Sequence, residues 1–120
     1  MISTAQALYQ FWNSFGLSAY TEDTIPDDAQ LPYITYSLVE SEILSPTSHY
    51  AQVWYRDTGN VALSETVAEI KSAIGEGVRI PCEGGYVVLR PSTPFAQLMV
   101  DSDPEIRRAY INLQINCYHT

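Results

Sequence analysis

Apolar and polar positions alternate most regularly near the end of the chain, in "IRRAYINLQINCYH" (106–119). Every second position there is apolar or small: Ala109, Ile111, Leu113, Ile115 and Cys117. A period of two predicts a β-strand with one side in a core. The other side carries Tyr110, Asn112, Gln114, Asn116 and Tyr118, and no charge follows Arg108. This side is either the wetted side of an open sheet or a contact surface for another subunit, and the pattern alone favours neither.

Two segments repeat their apolar residues at helical spacing. The first begins at Ser3 or Thr4, which can cap a helix, and is predicted to end at Gly16. Its apolar positions are Leu8, Phe11, Trp12 and Phe15. The second segment, "NVALSETVAEIKSAIGEG", places Leu63, Val67, Ile70 and Ile74 on one stripe, and Gly75 or Gly77 is expected to end the helix.

The remaining segments predict strands. "LSAYTED" suggests a short one, and "YITYSLVESEIL" and "HYAQVWYRD" should pair as an antiparallel hairpin. "GGYVVLRP", "PFAQLMVD" and the final strand should follow as three strands separated by proline-containing turns. We therefore predict an α+β fold, with an antiparallel or mixed sheet of five to six strands and two helices on one face. A chain of 120 residues without a linker-like segment is expected to form a single domain, 1–120.

Composition narrows the possible partners. Fourteen acidic and six basic residues give a net charge of −8, which disfavours tight binding to nucleic acid or to an anionic membrane. No apolar stretch reaches the length of a membrane span, and the first residues lack the pattern of a secretion signal, so a cytosolic product is expected. In that compartment Cys82 and Cys117 are expected to be core thiols, and a bridge between them is disfavoured.

Motifs for catalysis or for metal binding are weak. His49 and His119 lie at or near strand ends without a companion at motif spacing and are expected to be solvated or half-buried. "DSDPEI" starts like a calcium loop, but Ile106 and Asn112 replace the required Gly and Glu, so an acidic turn is predicted. Neither a metal site, a cofactor site nor an enzymatic activity is expected from the sequence.

The chain as a whole resembles the tail-terminator and head-tail joining proteins of long-tailed bacteriophages and prophages. The resemblance is carried by the order of elements, by "LPYITYSL" and "AQVWYRD", and by the ending "PFAQLMVDSDPEIRRAYINLQINCY". It implies a non-enzymatic α+β protein that assembles with itself as a ring, typically six-fold, between the tail tube protein and the head connector. Such a protein would be found in the virion tail or neck, after assembly in the cytoplasm of the bacterial host.

The resemblance also implies that strand faces and loops make subunit contacts, and the strand surface Tyr110, Asn112, Gln114, Asn116 and Tyr118 fits such a contact without being identified by the resemblance. Six copies of a chain with charge −8 would surround a channel that repels passing DNA. A terminator role and a neighbouring role in head-tail joining or as a minor capsid protein both fit the pattern. A stand-alone cytosolic binding module, or a small enzyme with a pocket under the hairpins, is the alternative from a different class.

Overall fold

The computed structural model describes residues 2–37 and 47–119, and within them a six-stranded mixed sheet carries two helices on one face. The predicted α+β class is therefore confirmed. In chain order the elements are α1 (Thr4–Trp12), a 3₁₀ turn (Asn13–Phe15), β1 (Ser18–Thr21), β2 (Tyr33–Tyr36), β3 (Thr47–Arg56), α2 (Val61–Ile74), β4 (Val78–Cys82), β5 (Gly85–Met99) and β6 (Ile106–His119).

Helix α1 begins where the sequence predicts. Ser3 is its N-cap, and its Oγ accepts a hydrogen bond from the backbone N–H of Gln6 (3.2 Å), while the Gln6 side chain accepts from the Ser3 N–H (3.0 Å). This reciprocal pair satisfies two of the backbone donors that a helix start leaves without partners. The 3₁₀ turn continues the chain to Gly16, whose φ of 82° lies in the left-handed region that glycine adopts without strain.

Helix α2 follows the predicted stripe and ends at Gly75. Leu63, Ile70 and Ile74 are almost fully buried, and Val67 is half-buried beside them. The outer side of the helix remains exposed. An amphipathic helix of this kind is held mainly by the packing of its apolar side.

The strands are ordered β1-β2-β3-β6-β5-β4, so the carboxy-terminal strand lies near the centre of the sheet. The predicted antiparallel pairing of the second and third strands is confirmed, with Tyr33 opposite Trp54. Strand β1, which the sequence suggested, runs parallel to β2. Residues 38–44 of the predicted strand "YITYSLVESEIL" lie outside the described residues.

Two details of the predicted sheet are wrong. The sequence interpretation omitted β4, which pairs with β5 through a two-residue turn at Glu83 and Gly84. It also separated "GGYVVLRP" from "PFAQLMVD", whereas β5 runs through both and only its register with β6 shifts, between Pro91 and Ala96. A proline removes one ladder donor and favours a bulge, but it does not require the strand to end.

The core fills the space between the helices and one face of the sheet. Its largest fully buried apolar side chains are Trp12, Ile34, Leu63, Ile70, Ile74, Leu89, Ile111, Leu113, Ile115, Val53 and Val87. Cys82 and Cys117 are buried here as free thiols. The molecule measures 47 × 30 × 21 Å, and its shortest dimension corresponds to one sheet and one helix layer. Neither helix in the described ranges is long and apolar enough to cross a bilayer.

Candidate subunit interface

Both helices pack on the same side of the sheet, so the other side has no covering layer in the described part of the chain. We call this side the open face. The side chains that strand alternation and register assign to it include Tyr20, Tyr33, Thr35, Tyr50, Gln52, Trp54, Arg56, Arg79, Tyr86, Val88, Arg90, Gln97, Met99, Arg108, Tyr110, Asn112, Gln114, Asn116 and Tyr118.

The five residues predicted as a contact surface all lie on the open face, in the middle of the sheet. Gln114 is exposed, and Tyr110, Asn112 and Tyr118 are half-buried. Asn116 is only 7% exposed because neighbouring strands cover it, and its Oδ1 accepts a hydrogen bond from Arg90 (3.3 Å). Four of the five side chains therefore have solvent-accessible surface that a partner could contact, whereas Asn116 is buried and hydrogen-bonds to its neighbour Arg90.

Tyrosine pairs bridge adjacent strands of the open face. The ring of Tyr110 stacks on that of Tyr50 with centroids 5.4 Å apart, and Tyr118 stacks on Tyr86 at 5.1 Å. Cross-strand aromatic pairs of this kind stabilise a sheet. They also hold large, rigid rings at the surface, which lowers the entropy lost when a partner binds.

Arginines complete the open face. Arg108 lies over the Trp54 ring (5.0 Å from the centroid) and donates to Gln52 (3.1 Å). Its Nε is buried without a hydrogen bond, 3.6 Å from a carboxylate oxygen of Asp101. Arg79 lies 4.2 Å from the centroid of the Tyr86 ring. Neither Arg79 nor Arg90 forms an ion pair within the described residues, so both charges remain available.

Carboxylates are absent from the sheet. None of the six described strands contains Asp or Glu, although the chain has fourteen acidic residues. The same strands hold five of the six basic residues: Arg56, Arg79, Arg90, Arg107 and Arg108. Tyr, Trp and Arg are the residues enriched at the centres of protein interfaces, where acidic residues and lysine are depleted. The open face therefore has the composition of an interface, although the rest of the chain is strongly acidic.

At one edge of the open face an acidic residue outside the strands reaches the tyrosines. Tyr50 donates its hydroxyl proton to Glu22 (2.7 Å), and this bond is the largest of the causes that raise the Tyr50 pKa. Burial, followed by the charge of Glu22, raises the pKa of Tyr110. Both phenols therefore remain neutral donors at physiological pH.

Next to this tyrosine pair the open face has a depression of about 340 Å³. Its walls include Tyr50, Tyr110, Asn112 and the segment 92–94 of β5. Asn112 donates to the backbone oxygen of Pro94 (3.1 Å) and so holds this segment against β6. The register shift of β5 thus creates a socket large enough for a side chain of a partner.

His49, the strand-end histidine, is not solvated or half-buried as predicted. It is fully buried on the helix side of the sheet, where Trp12 Nε1–H donates to its Nε2 (3.1 Å) and Ser37 Oγ lies 3.0 Å from its Nδ1. The prediction was wrong because the alternation in β3 points His49 inward with Ala51 and Val53. The serine and the histidine resemble part of a catalytic arrangement, but Ser37 is also buried and both ring nitrogens are engaged.

The acidic turn predicted at "DSDPEI" joins β5 to β6. Asp101 and Asp103 accept backbone N–H groups two residues further on, at 3.0 and 2.9 Å. Arg56 pairs with Asp103 (3.5 Å) and Glu105 (3.2 Å) at the surface. In the described residues no three His, Cys, Asp or Glu side chains are placed to hold a metal ion.

Sequence reasoning found the β6 residues of the open face but did not include Arg79, Tyr86 and Arg90. These residues join the site only because β5 and β4 lie beside β6. The absence of acidic residues from the described strands was not visible in the sequence either, because the predicted strand segments include Glu22, Asp57 and Asp101, which lie just beyond the strand ends in the structure. Compared with protein-family models, curated proteins and solved structures, the chain matches none.

Proposed function

We propose that this protein is a non-enzymatic structural component of a bacteriophage or prophage tail, and that it assembles into a ring that caps the tail tube and joins it to the head connector. The observation that supports the proposal best is the open face. It combines aromatic, amide and arginine side chains, contains no strand carboxylate, and occupies one whole side of a two-layer fold. Burial of this face against another copy would explain why, in a chain of charge −8, the described strands contain no acidic residue.

The order of elements and the strand segments that resemble the tail-terminator and head-tail joining proteins give the proposal its biological setting. A ring between tube and connector requires contacts with itself and with two other proteins. Its sites of action are the virion tail or neck and, during assembly, the cytoplasm of the bacterial host. The ring surrounds the DNA without binding it tightly, because the net charge is negative.

Assembly of the purified chain tests the proposal directly. Light scattering and electron microscopy over a series of concentrations should show a closed ring. Six copies of a 13.4 kDa chain correspond to about 80 kDa. Gln114→Glu places a carboxylate at the exposed centre of the open face and should weaken ring formation. Gln10→Glu makes the same change on the exposed side of α1 and should not.

Deletion of the gene in the phage or prophage that carries it tests the biological role. Tails of uncontrolled length would identify a terminator, and normal tails separated from filled heads would identify a joining protein. Intact, infectious particles would contradict the proposal. A chain that stays monomeric at every concentration and binds a small molecule in a pocket would support the alternative of a stand-alone binding module.

A further inference from the structure

A second surface lies on the opposite side of the molecule, on the outer side of α2. Two apolar side chains there are unusually exposed, Val61 at 71% and Leu98 of β5 at 56%. Ala68, Lys71 and Leu98 line a shallow groove of about 310 Å³, and Ala68 also borders the depression beside Val61. Glu65 and Glu69 are exposed on the same helix. We call Val61, Glu65, Ala68, Glu69 and Leu98 the helix patch.

The helix patch also has the composition of an interface, but with the opposite charge. An apolar centre beside charged residues is the usual arrangement of a protein contact. Glu65 and Glu69 form no ion pair within the described residues. The acidic residues near the β5–β6 turn differ in this respect, because Asp101, Asp103 and Glu105 lie close to arginines of their own chain.

Charge decides which surfaces can meet. Two open faces brought together would place Arg79 and Arg90 of both copies in one contact without a strand carboxylate between them. Two helix patches would bring four glutamates together with only two lysines, the Lys71 of each copy, and so leave an excess of negative charge. Pairing the open face with the helix patch instead places arginine opposite glutamate, and the tyrosine rings opposite Val61 and Leu98. Like charges in an interface cost several kcal/mol, so charge complementarity selects this third arrangement.

We propose that the open face of one copy binds the helix patch of the next copy, so that subunits join head to tail. This inference rests on the proposed ring function and names the two surfaces that build the ring. The open face and the helix patch lie on opposite sides of a plate about 21 Å thick, so each copy uses one side for each neighbour. Such a heterologous contact closes into a ring when the two surfaces are inclined to each other so that the rotation between copies divides a full turn, whereas parallel surfaces give an open stack.

Charge reversal on each surface tests the contact. Arg79→Glu with Arg90→Glu changes the open face, and Glu65→Arg with Glu69→Arg changes the helix patch; all four side chains are exposed. Each paired variant alone should raise the concentration needed for half-assembly by about tenfold or more. An equimolar mixture of the two variants, and a chain carrying all four substitutions, should both recover assembly. Sedimentation velocity measures each case, and circular dichroism checks that the variants fold.

A matched control reverses two acidic residues elsewhere. Asp27→Arg with Asp28→Arg changes the net charge by the same amount as the patch variant, at exposed positions that belong to neither surface, and should leave assembly unchanged. If the wild-type chain forms rings but the paired variants assemble normally or the mixture fails to recover, the head-to-tail contact is wrong and the ring function stands. If only the open-face variant loses assembly into virions, the open face binds a different acidic protein. A wild-type chain that never self-associates overturns both proposals.

Discussion

His49 lies in the core, whereas a histidine near the end of a strand is usually solvated or half-buried. The ring is fully buried beside Trp12, Tyr36 and Ser37, none of which carries a charge. Because Nε2 accepts from Trp12, the single proton of the neutral ring lies on Nδ1 and is donated to Ser37 Oγ. The Ser37 hydroxyl oxygen also accepts from the Tyr50 N–H (3.1 Å), so the network links α1, β3 and the end of β2.

Burial lowers the pKa of His49 from 6.5 to about 4, and this makes the stability of the fold sensitive to acid. Below pH 6.5 the unfolded chain takes up a proton at His49, while the folded chain does not until about pH 4. The free energy of unfolding should therefore fall by roughly 3 kcal/mol as the pH drops through this window. Urea unfolding at pH 7.5 and at pH 4.5 measures the difference.

His49→Gln removes the titrating group while keeping a polar side chain. The variant should be less stable at neutral pH, but it should lose less stability than the wild type between the two pH values, because it lacks the buried imidazole whose pKa folding lowers. Equal losses in the two chains would show that His49 does not carry this acid sensitivity.

Secondary-structure elements differ in how much of them the sequence predicts. The start of α1 and the end of α2 follow from local residues, since a cap, an apolar stripe and a final glycine act within a few positions. The predicted end of the first helix at Gly16 was wrong, because α1 ends at Trp12 and a 3₁₀ turn leads to the glycine. The continuity of β5 through Pro91 and Pro94 does not, because it depends on pairing with β6, which is distant along the chain until folding occurs. The parallel pairing of β1 with β2 is non-local in the same way.

The residues of the candidate interface also differ in whether local sequence alone predicts them. Alternation within β6 was sufficient to predict that Tyr110, Asn112, Gln114, Asn116 and Tyr118 share one side of a strand. Which residues flank them depends on strand order, so Arg79 and Arg90 could be assigned to the open face only from the structure. Strand order also explains the burial of Asn116, which Arg90 covers from β5.

The capping box of α1 gives a prediction for one element. Ser3→Ala leaves the Gln6 N–H without its side-chain acceptor and breaks the reciprocal pair. The free energy of unfolding should fall by about 1 kcal/mol. Ser72→Ala changes an exposed serine inside α2 that caps nothing, and it should be neutral or slightly stabilising because alanine favours helix. Thermal or urea unfolding of the two variants beside the wild type makes the comparison, and an equal effect would contradict the cap.

Across the whole molecule, charge is separated by element. The described strands hold arginine without carboxylate, and the acidic residues of the described ranges lie in α2, in the turns and in the connection between β1 and β2. This separation leaves most of the negative charge free when the open face is buried between copies. An assembled ring would therefore present a negative surface that is stronger than that of any single subunit.

DNA passing through such a ring should be repelled by the acidic connection between β1 and β2. Asp23, Asp27 and Asp28 are exposed, and their side chains form no hydrogen bond or ion pair with the residues that the structure describes, so replacing them should not disturb the fold. Particles carrying Asp23→Lys, Asp27→Lys and Asp28→Lys should assemble normally and release their DNA roughly tenfold more slowly, because lysines in the connection would attract the phosphates. The three Asn substitutions should have an intermediate effect, and added salt should reduce both effects, because salt screens exposed charges. Fluorescence of a DNA-binding dye during ejection measures the rate of DNA release. An unchanged rate of release in the lysine variant would show that the acidic connection does not face the path of the DNA.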